Sequence, residues 1–234
     1  MQKNNLKHFI HLHFLVFIAG FTAVLGELIT NTSVSIVWHR MIIASLITIF
    51  FMLVKKKKLK IGFNQFLKYS FLGLIIALHW ITFFEGIEQS NISVTLAMFS
   101  TAAFFTSFLE PLFFKRKIIF YEIILGLLVV VGVFLIFKSE FNYVNGIILG
   151  LFSALFASIF SVLNGVMIKN NSAITISFYE FISGVVFISI YLFITRNMNS
   201  LLIENFFSLN YLYIFLLGSV CTAYAFICLL YTSP

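Results

Sequence analysis

The stretch Ala77–Phe114, ALHWITFFEGIEQSNISVTLAMFSTAAFFTSFLEPLFF, decides the fold. Two apolar runs flank a short acidic turn that carries Glu85 and Glu88. The hydrocarbon core of a bilayer takes about 20 apolar residues of helix, and Ile92–Phe114 alone supplies such a run. The stretch therefore reads as the end of one membrane helix, a turn and a complete second helix. It holds His79-Trp80, a set of Ser and Thr residues within apolar sequence, and Pro111. Polar side chains placed this way mark a hairpin that lines a solute pathway, with the other helices holding, mirroring or enclosing it.

The remaining composition agrees. Of 234 residues, 61% are hydrophobic and 10% charged, the mean hydropathy is +1.07 and 32 residues are Phe. Soluble domains carry about a quarter charged residues, so an integral membrane protein is expected. There is no Asp, and the acidic residues are 8 Glu. The net charge of +7 is not read as a nucleic-acid footprint, because the basic residues fall between apolar runs. Cys221 and Cys228 sit on one predicted helix about 10 Å apart, too far for a disulfide with each other. Lys3 and Lys7 precede the apolar run Phe9–Gly26, which is read as an uncleaved first helix.

Eight membrane helices are expected: His8–Gly26, Val34–Val54, Phe66–Gly86, Ile92–Phe114, Ile118–Phe137, Val144–Ile168, Ala173–Ile194 and Leu209–Tyr231. Alternate connections then gather positive charge on one side. Lys3, Lys7, Lys55–Lys58, Lys60, Lys68, Lys115, Arg116, Lys117 and Lys169 lie there, against Lys138 and Arg196 on the other. Such asymmetry places the N terminus in the cytoplasm of a multi-pass protein of the plasma (inner) membrane. The outer side carries Glu27, Glu85, Glu88, Glu140 and Glu204.

The chain also repeats itself. Ser35-Ile-Val-Trp-His-Arg-Met-Ile-Ile-Ala44 lies over Thr175-Ile-Ser-Phe-Tyr-Glu-Phe-Ile-Ser-Gly184, offset by 140. Leu72-Gly73 matches Leu217-Gly218, which sets His79-Trp80 opposite Tyr224-Ala225. Both alignments imply a five-helix unit, and an odd number of helices reverses orientation in the second copy. The fold class expected is an all-α polytopic helical bundle built as an inverted repeat. Residues 1–140 would form the first repeat and 141–234 an incomplete second one, with two further helices beyond Pro234 completing ten. Inverted repeats are typical of secondary transporters, with the solute site near the membrane midplane.

The residues then resemble a known family. Trp38-His-Arg40 with Ala44, Gly73 with Trp80, Asn91-Ile-Ser-Val-Thr-Leu-Ala97, and Tyr121-Glu-Ile-Ile-Leu-Gly126 through Gly132 resemble the drug/metabolite transporter superfamily, specifically its EamA-type ten-helix permeases. The resemblance implies export or uptake of small metabolites, such as amino acids, by alternating access. Its departures are local. Ala102-Ala103 stands where the family often has a Pro in the fourth helix, and Lys115-Arg116 where it often has Gly-Glu. No kink is therefore expected at Ala102-Ala103, and Pro111 reads as a helix-end feature.

Candidate pathway residues are Arg40, His79, Trp80, Ser100, Thr101, Asn164, Glu180 and Tyr224, with Ser161 as a further polar contact. Arg40 lies about 9 Å below the outer edge of its helix, where an Arg is costly and seldom faces lipid. It either binds an anionic group such as a carboxylate, or pairs with Glu27, Glu85 or Glu88. Glu180 holds the equivalent place from the inner side. It either binds a proton or a substrate amine, or partners Lys169 or a Tyr; a direct pair with Arg40 is not expected. His79 can hydrogen-bond a solute, and Trp80 offers a wall or a cation–π face. Adjacent helical residues diverge by about 100°, so one of the two faces the pathway. Ser93, Ala97 and Thr101, and likewise Gly146, Gly150, Ala154 and Ser158, form small-residue stripes suited to close helix packing.

His8, His11 and His13 have neither the spacing nor the neighbours of a metal site. No cofactor is expected. Lys55–Lys60 reads as an interfacial anchor to anionic lipid. The partners expected are a small-molecule metabolite and the lipid bilayer, not nucleic acid, with a homodimer as a candidate assembly. An intramembrane transferase is the rival class, as is a receptor or scaffold. The chain contains no phosphate-cradling Gly-rich Lys motif, no H-E-x-x-H and no G-x-S-x-G.

Overall fold

The computed structural model describes residues 2–57, 59–137, 143–169, 171–202 and 207–227. Lys58, Lys138, Glu140, Glu204, Cys228 and residues 228–234 lie outside them, as do the side chains of Lys3, Lys7 and His8. The described residues contain no strand. The helices are α1 (Gln2–Leu28), α2 (Ser33–Val54), α3 (Phe63–Glu88), α4 (Ile92–Phe99), α5 (Ala102–Phe114), α6 (Phe120–Phe137), α7 (Val144–Met167), α8 (Ala173–Ile194) and α9 (Leu209–Gly218). A 3-10 turn (Met198–Leu201) precedes α9, and a π-helical segment (Ser219–Tyr224) follows it. Among the described residues seven spans are long and apolar enough to cross a membrane, counting α4–α5 as one and α9 with its π segment as another. The fifth predicted helix, α6, is apolar over Phe120–Leu135 but shorter. This is a polytopic helical membrane protein.

Local signals set the helix ends. Thr32, Asn91 and Ser208 cap α2, α4 and α9, each accepting a backbone N–H from three residues on. Lys56, Lys115 and Arg196, just past α2, α5 and α8, adopt left-handed φ of 50°, 53° and 57°. Glycine usually takes that place. Basic residues there set positive charge against the negative end of the helix dipole.

The chain divides into two compact units, Met1–Gly73 with Asn171–Pro234, and Leu74–Asn170. The boundary falls inside α3. In the first unit α2 packs along α8 and also against α9 and the π segment, while α1 lies on α9 and the π segment. Lipid gives helices no hydrophobic drive to associate, so close backbone approach must hold them. A Cβ added at Gly73 would run into the backbone carbonyl of Glu180 on α8, and one at Gly184 into Met41 on α2. A Cβ at Gly218 would stand 2.8 Å from Ile43 Cβ and 3.1 Å from the carbonyl oxygen of Arg40.

These contacts recur in pairs. Gly73 meets Glu180 and Ser183, and Gly218 meets Arg40 and Ile43. Residues 40 and 43 map onto 180 and 183 with the 140 offset of the sequence alignment, and 73 maps onto 218. At the helix ends Gln65 Nε2 donates to Asn171 Oδ1 at 2.7 Å, and Asn210 Nδ2 to Asn31 Oδ1 at 2.5 Å. Asn31 maps onto Asn171, and Gln65 onto Asn210, by the same two offsets. The helix-terminating bonds match as well: Lys57 N donates to Met52 O and Asn197 N to Leu192 O, both at 2.9 Å.

In the second unit α7 packs on α4 and α5, and α5 on α6. The α7 stripe makes the closest approaches. A Cβ at Gly146 would collide with Ser90, and one at Gly150 would stand 2.6 Å from Met98 Cβ. Ala154 is fully buried, and Ser158 Oγ lies 2.9 Å from the carbonyl oxygen of Ala102 on α5, close enough to donate to it. Val94, Met98 and Val133 form a small apolar core here.

The fourth predicted helix, expected to run unbroken over Ile92–Phe114, is instead interrupted. The helix breaks at Ser100-Thr101, directly before Ala102-Ala103. No proline is needed. Ser100 Oγ donates to Ala97 O and Thr101 Oγ1 to Met98 O, both at 2.6 Å, and such local bonds compete with the backbone ladder and bend helices. The eighth predicted helix also departs from a uniform α-helix, through the wider turns of Ser219–Tyr224.

Gly73→Ala and Gly218→Ala are each expected to destabilise the protein by about 1–3 kcal/mol, the usual effect of overpacking. Gly132, around which a Cβ would meet nothing within 4 Å, is the control, and Gly132→Ala should be neutral. Thermal unfolding of the three variants in detergent checks this.

Candidate functional site

The candidate residues fall into two groups. Arg40, Glu180 and Tyr224 belong to the first unit, and His79, Trp80, Ser100, Thr101 and Asn164 to the second.

In the first unit the core of α2, α8 and the π segment is rich in polar side chains. Arg40 is 3% exposed, Glu180 0%, and Ser35, Thr48, Ser177 and Thr222 are also buried. Several of the hydroxyls are satisfied within their own helix, as Thr48 donates to Ala44 O and Ser45 to Ile42 O. Other groups reach between helices. Trp38 Nε1 donates to Ser189 Oγ at 2.9 Å, and Ser70 and Ser183 hydroxyls lie 3.0 Å apart. Arg40 Nε donates to Thr222 Oγ1 at 2.5 Å.

The Thr222 geometry explains the π segment. Its hydroxyl donates to Leu217 O, five residues back, at 2.7 Å. With its proton committed, the oxygen presents lone pairs, and a guanidinium N–H is the complementary group. The widened turn thus orients an acceptor at the Arg40 side chain. π turns of this kind occur often at functional sites. Tyr224 is 38% exposed and stacks on His11 of α1, ring centroids 6.4 Å apart. Glu27 is exposed, and Cys221 is a buried free thiol.

In the second unit His79 Nδ1 lies 2.9 Å from Ser153 Oγ and 3.0 Å from Ser153 O, and its ring stacks on Phe99 at 5.4 Å. Ser153 Oγ donates back to His79 O at 3.2 Å. Trp80 is 5% exposed and Thr101 2%. Ser93, Ser100 and Ser161 are exposed, and Asn164 is half-buried. Lys169 Nζ sits 4.5 Å from the centroid of the Phe114 ring.

Sequence reasoning missed Thr222, Ser153 and Ser189, which are ordinary small polar residues until the fold brings them to Arg40, His79 and Trp38. It also missed a charged cluster whose signal was present: Glu110, Arg116 and Glu122, six residues apart on either side of the α5–α6 turn. Arg116 Nη2 bonds Glu110 Oε2 at 2.8 Å and Glu122 Oε2 at 2.7 Å. Hydrogen bonds and charge from Glu122 and Glu110 raise the Arg116 pKa further above its ordinary value. Among the described residues no group of three His, Cys or Glu could hold a metal ion.

Replacing Thr222 by Val removes the acceptor from a buried guanidinium. A loss of about 1.5–3 kcal/mol is expected, with Thr222→Ser near wild type. Melting temperature and monodispersity in detergent distinguish the two.

A model of the EamA-like transporter family matches residues 9–138, more than half of the chain. The match begins in α1 and runs through α6. No curated protein and no solved structure matches the chain. By this match and its membrane-spanning helices, the chain belongs to the EamA-like transporter family, membrane transporters of the drug/metabolite transporter type.

Proposed function

We propose that the protein is a secondary transporter that moves small metabolites such as amino acids across the plasma membrane by alternating access, with a cytoplasmic N terminus. The observation that carries this is the matched burial of two unlike charges. Arg40 and Glu180 hold equivalent positions in α2 and α8, each with its backbone carbonyl against a glycine of a neighbouring helix. A guanidinium suits a carboxylate, and a buried carboxyl suits proton exchange or an amine. The recurring contacts favour an inverted repeat, and two similar halves of unlike chemistry can exchange access while keeping one site. The charge asymmetry of the connections supports the orientation.

The test is uptake into proteoliposomes of labelled amino acids, with and without a pH gradient. Arg40→Ala is expected to lower uptake at least tenfold. Glu180→Gln should abolish accumulation driven by the gradient while leaving exchange of solute, the signature of lost proton coupling. Lys57→Ala, on the exposed basic loop, should match wild type. Uptake unchanged in Arg40→Ala protein that is folded would overturn the role given to Arg40.

A further inference from the structure

A cleft of about 390 Å³ opens between α5 and α6. Its volume falls in the ~300–1,000 Å³ range of small-molecule sites. Ala103, Leu125, Gly126 and Val129 form apolar walls, and Thr106 and Ser107 add hydroxyls. Glu110, Arg116 and Glu122 also line it. These three sit at the membrane edge: Glu110 is four residues before the end of α5, Arg116 is in the turn, and Glu122 is in the first turn of α6. The surrounding surface is built for lipid, since Leu112, Phe113, Phe120, Tyr121, Leu125 and Leu128 are exposed hydrophobics.

Two carboxylates share one guanidinium, and both ion pairs use Arg116 Nη2. Carboxylate lone pairs are left over, because each carboxylate has about four acceptor sites, while the exposed Lys115 and Lys117 flank Arg116 on either side. The donors on Arg116 Nε and Nη1 point elsewhere in the guanidinium plane, and Nη1 makes only a long 3.4 Å contact to Lys117 O. The cluster therefore offers acceptors for an ammonium and donors for a phosphate side by side, next to an apolar slot.

We propose that the α5–α6 cleft binds a phospholipid whose headgroup carries a phosphate and a primary amine, with the amine on Glu110 and Glu122, the phosphate on Arg116 and an acyl chain along Ala103, Gly126 and Val129. The primary amine is specified by the carboxylates. A trimethylated amine has the same charge but no N–H to donate, and a glycerol headgroup has no ammonium to place between the two carboxylates.

The experiment is native mass spectrometry of the delipidated protein in detergent. It uses equimolar phosphatidylethanolamine, phosphatidylcholine and phosphatidylglycerol with identical acyl chains. Retention of the ethanolamine lipid is expected to exceed that of the other two by about tenfold, the scale of one charge-assisted hydrogen bond. Glu110→Gln and Glu122→Gln should each cut that preference severalfold, and Ala103→Leu, which fills the slot without altering charge, should lower retention of every lipid. Equal retention of ethanolamine and choline lipids would overturn the proposal. So would an unchanged preference in both Gln variants, or unchanged retention in Ala103→Leu. All three positions are at least partly exposed, so the variants are expected to fold, and none of these readings depends on transport.

Discussion

Within a bilayer, helices cohere only where their backbones can touch, and in the first unit that touch is a glycine against a carbonyl. Gly73 meets the carbonyl of Glu180, and Gly218 that of Arg40. A single methyl at either place would force α8 or α2 outward. The same two contacts hold the backbone of two buried charged residues, Arg40 and Glu180. The helix ends are fixed by a second matched pair, the amide bonds of Gln65 with Asn171 and of Asn210 with Asn31. Packing and charge placement are thus one constraint, written twice in the chain.

Burying Arg40 has a cost that the fold meets with backbone geometry. A guanidinium at that depth needs acceptors, and a regular α-helix offers few, because its carbonyls are committed to its own ladder. The π turn at Ser219–Tyr224 changes this by giving Thr222 an acceptor five residues back, so its oxygen faces the Arg. Unlike chemistry then sits at equivalent places. By the repeat offsets Arg40 corresponds to Glu180, and His79 to Tyr224, so equivalent positions carry different side chains.

The second unit relies on the same close approach, and hydroxyls interrupt one of its helices. Ser100 and Thr101 divert two carbonyls of α4 and break the helix, while Ser158 of α7 reaches the carbonyl of Ala102 just beyond the break. At the membrane edge Glu110, Arg116 and Glu122 leave a charged rim on an apolar cleft. Exposed hydrophobics surround it, and in the lipid site proposed above these three side chains are the groups that would read the headgroup.

Much of this is present in the sequence, and for a definite reason. Bilayer thickness sets helix length, so apolar runs between short polar connections determine the helices. The repeat offsets, read from Ser35–Ala44 and Leu72-Gly73, even name the contacting residues. Bounds moved where apolar composition is silent, as at α6 and the end of α3. What the tertiary structure alone decided depends on partners distant in the chain or on helix geometry with no residue code. Ser153 matters because it meets His79, and Thr222 because a π turn aims it at Arg40. The interruption at Ser100-Thr101 accompanies hydroxyl-to-carbonyl bonds, where a proline would have announced it. Sequence determines which residues are apolar, small or charged at a given depth; only packing decides which of those charges finds a donor or acceptor.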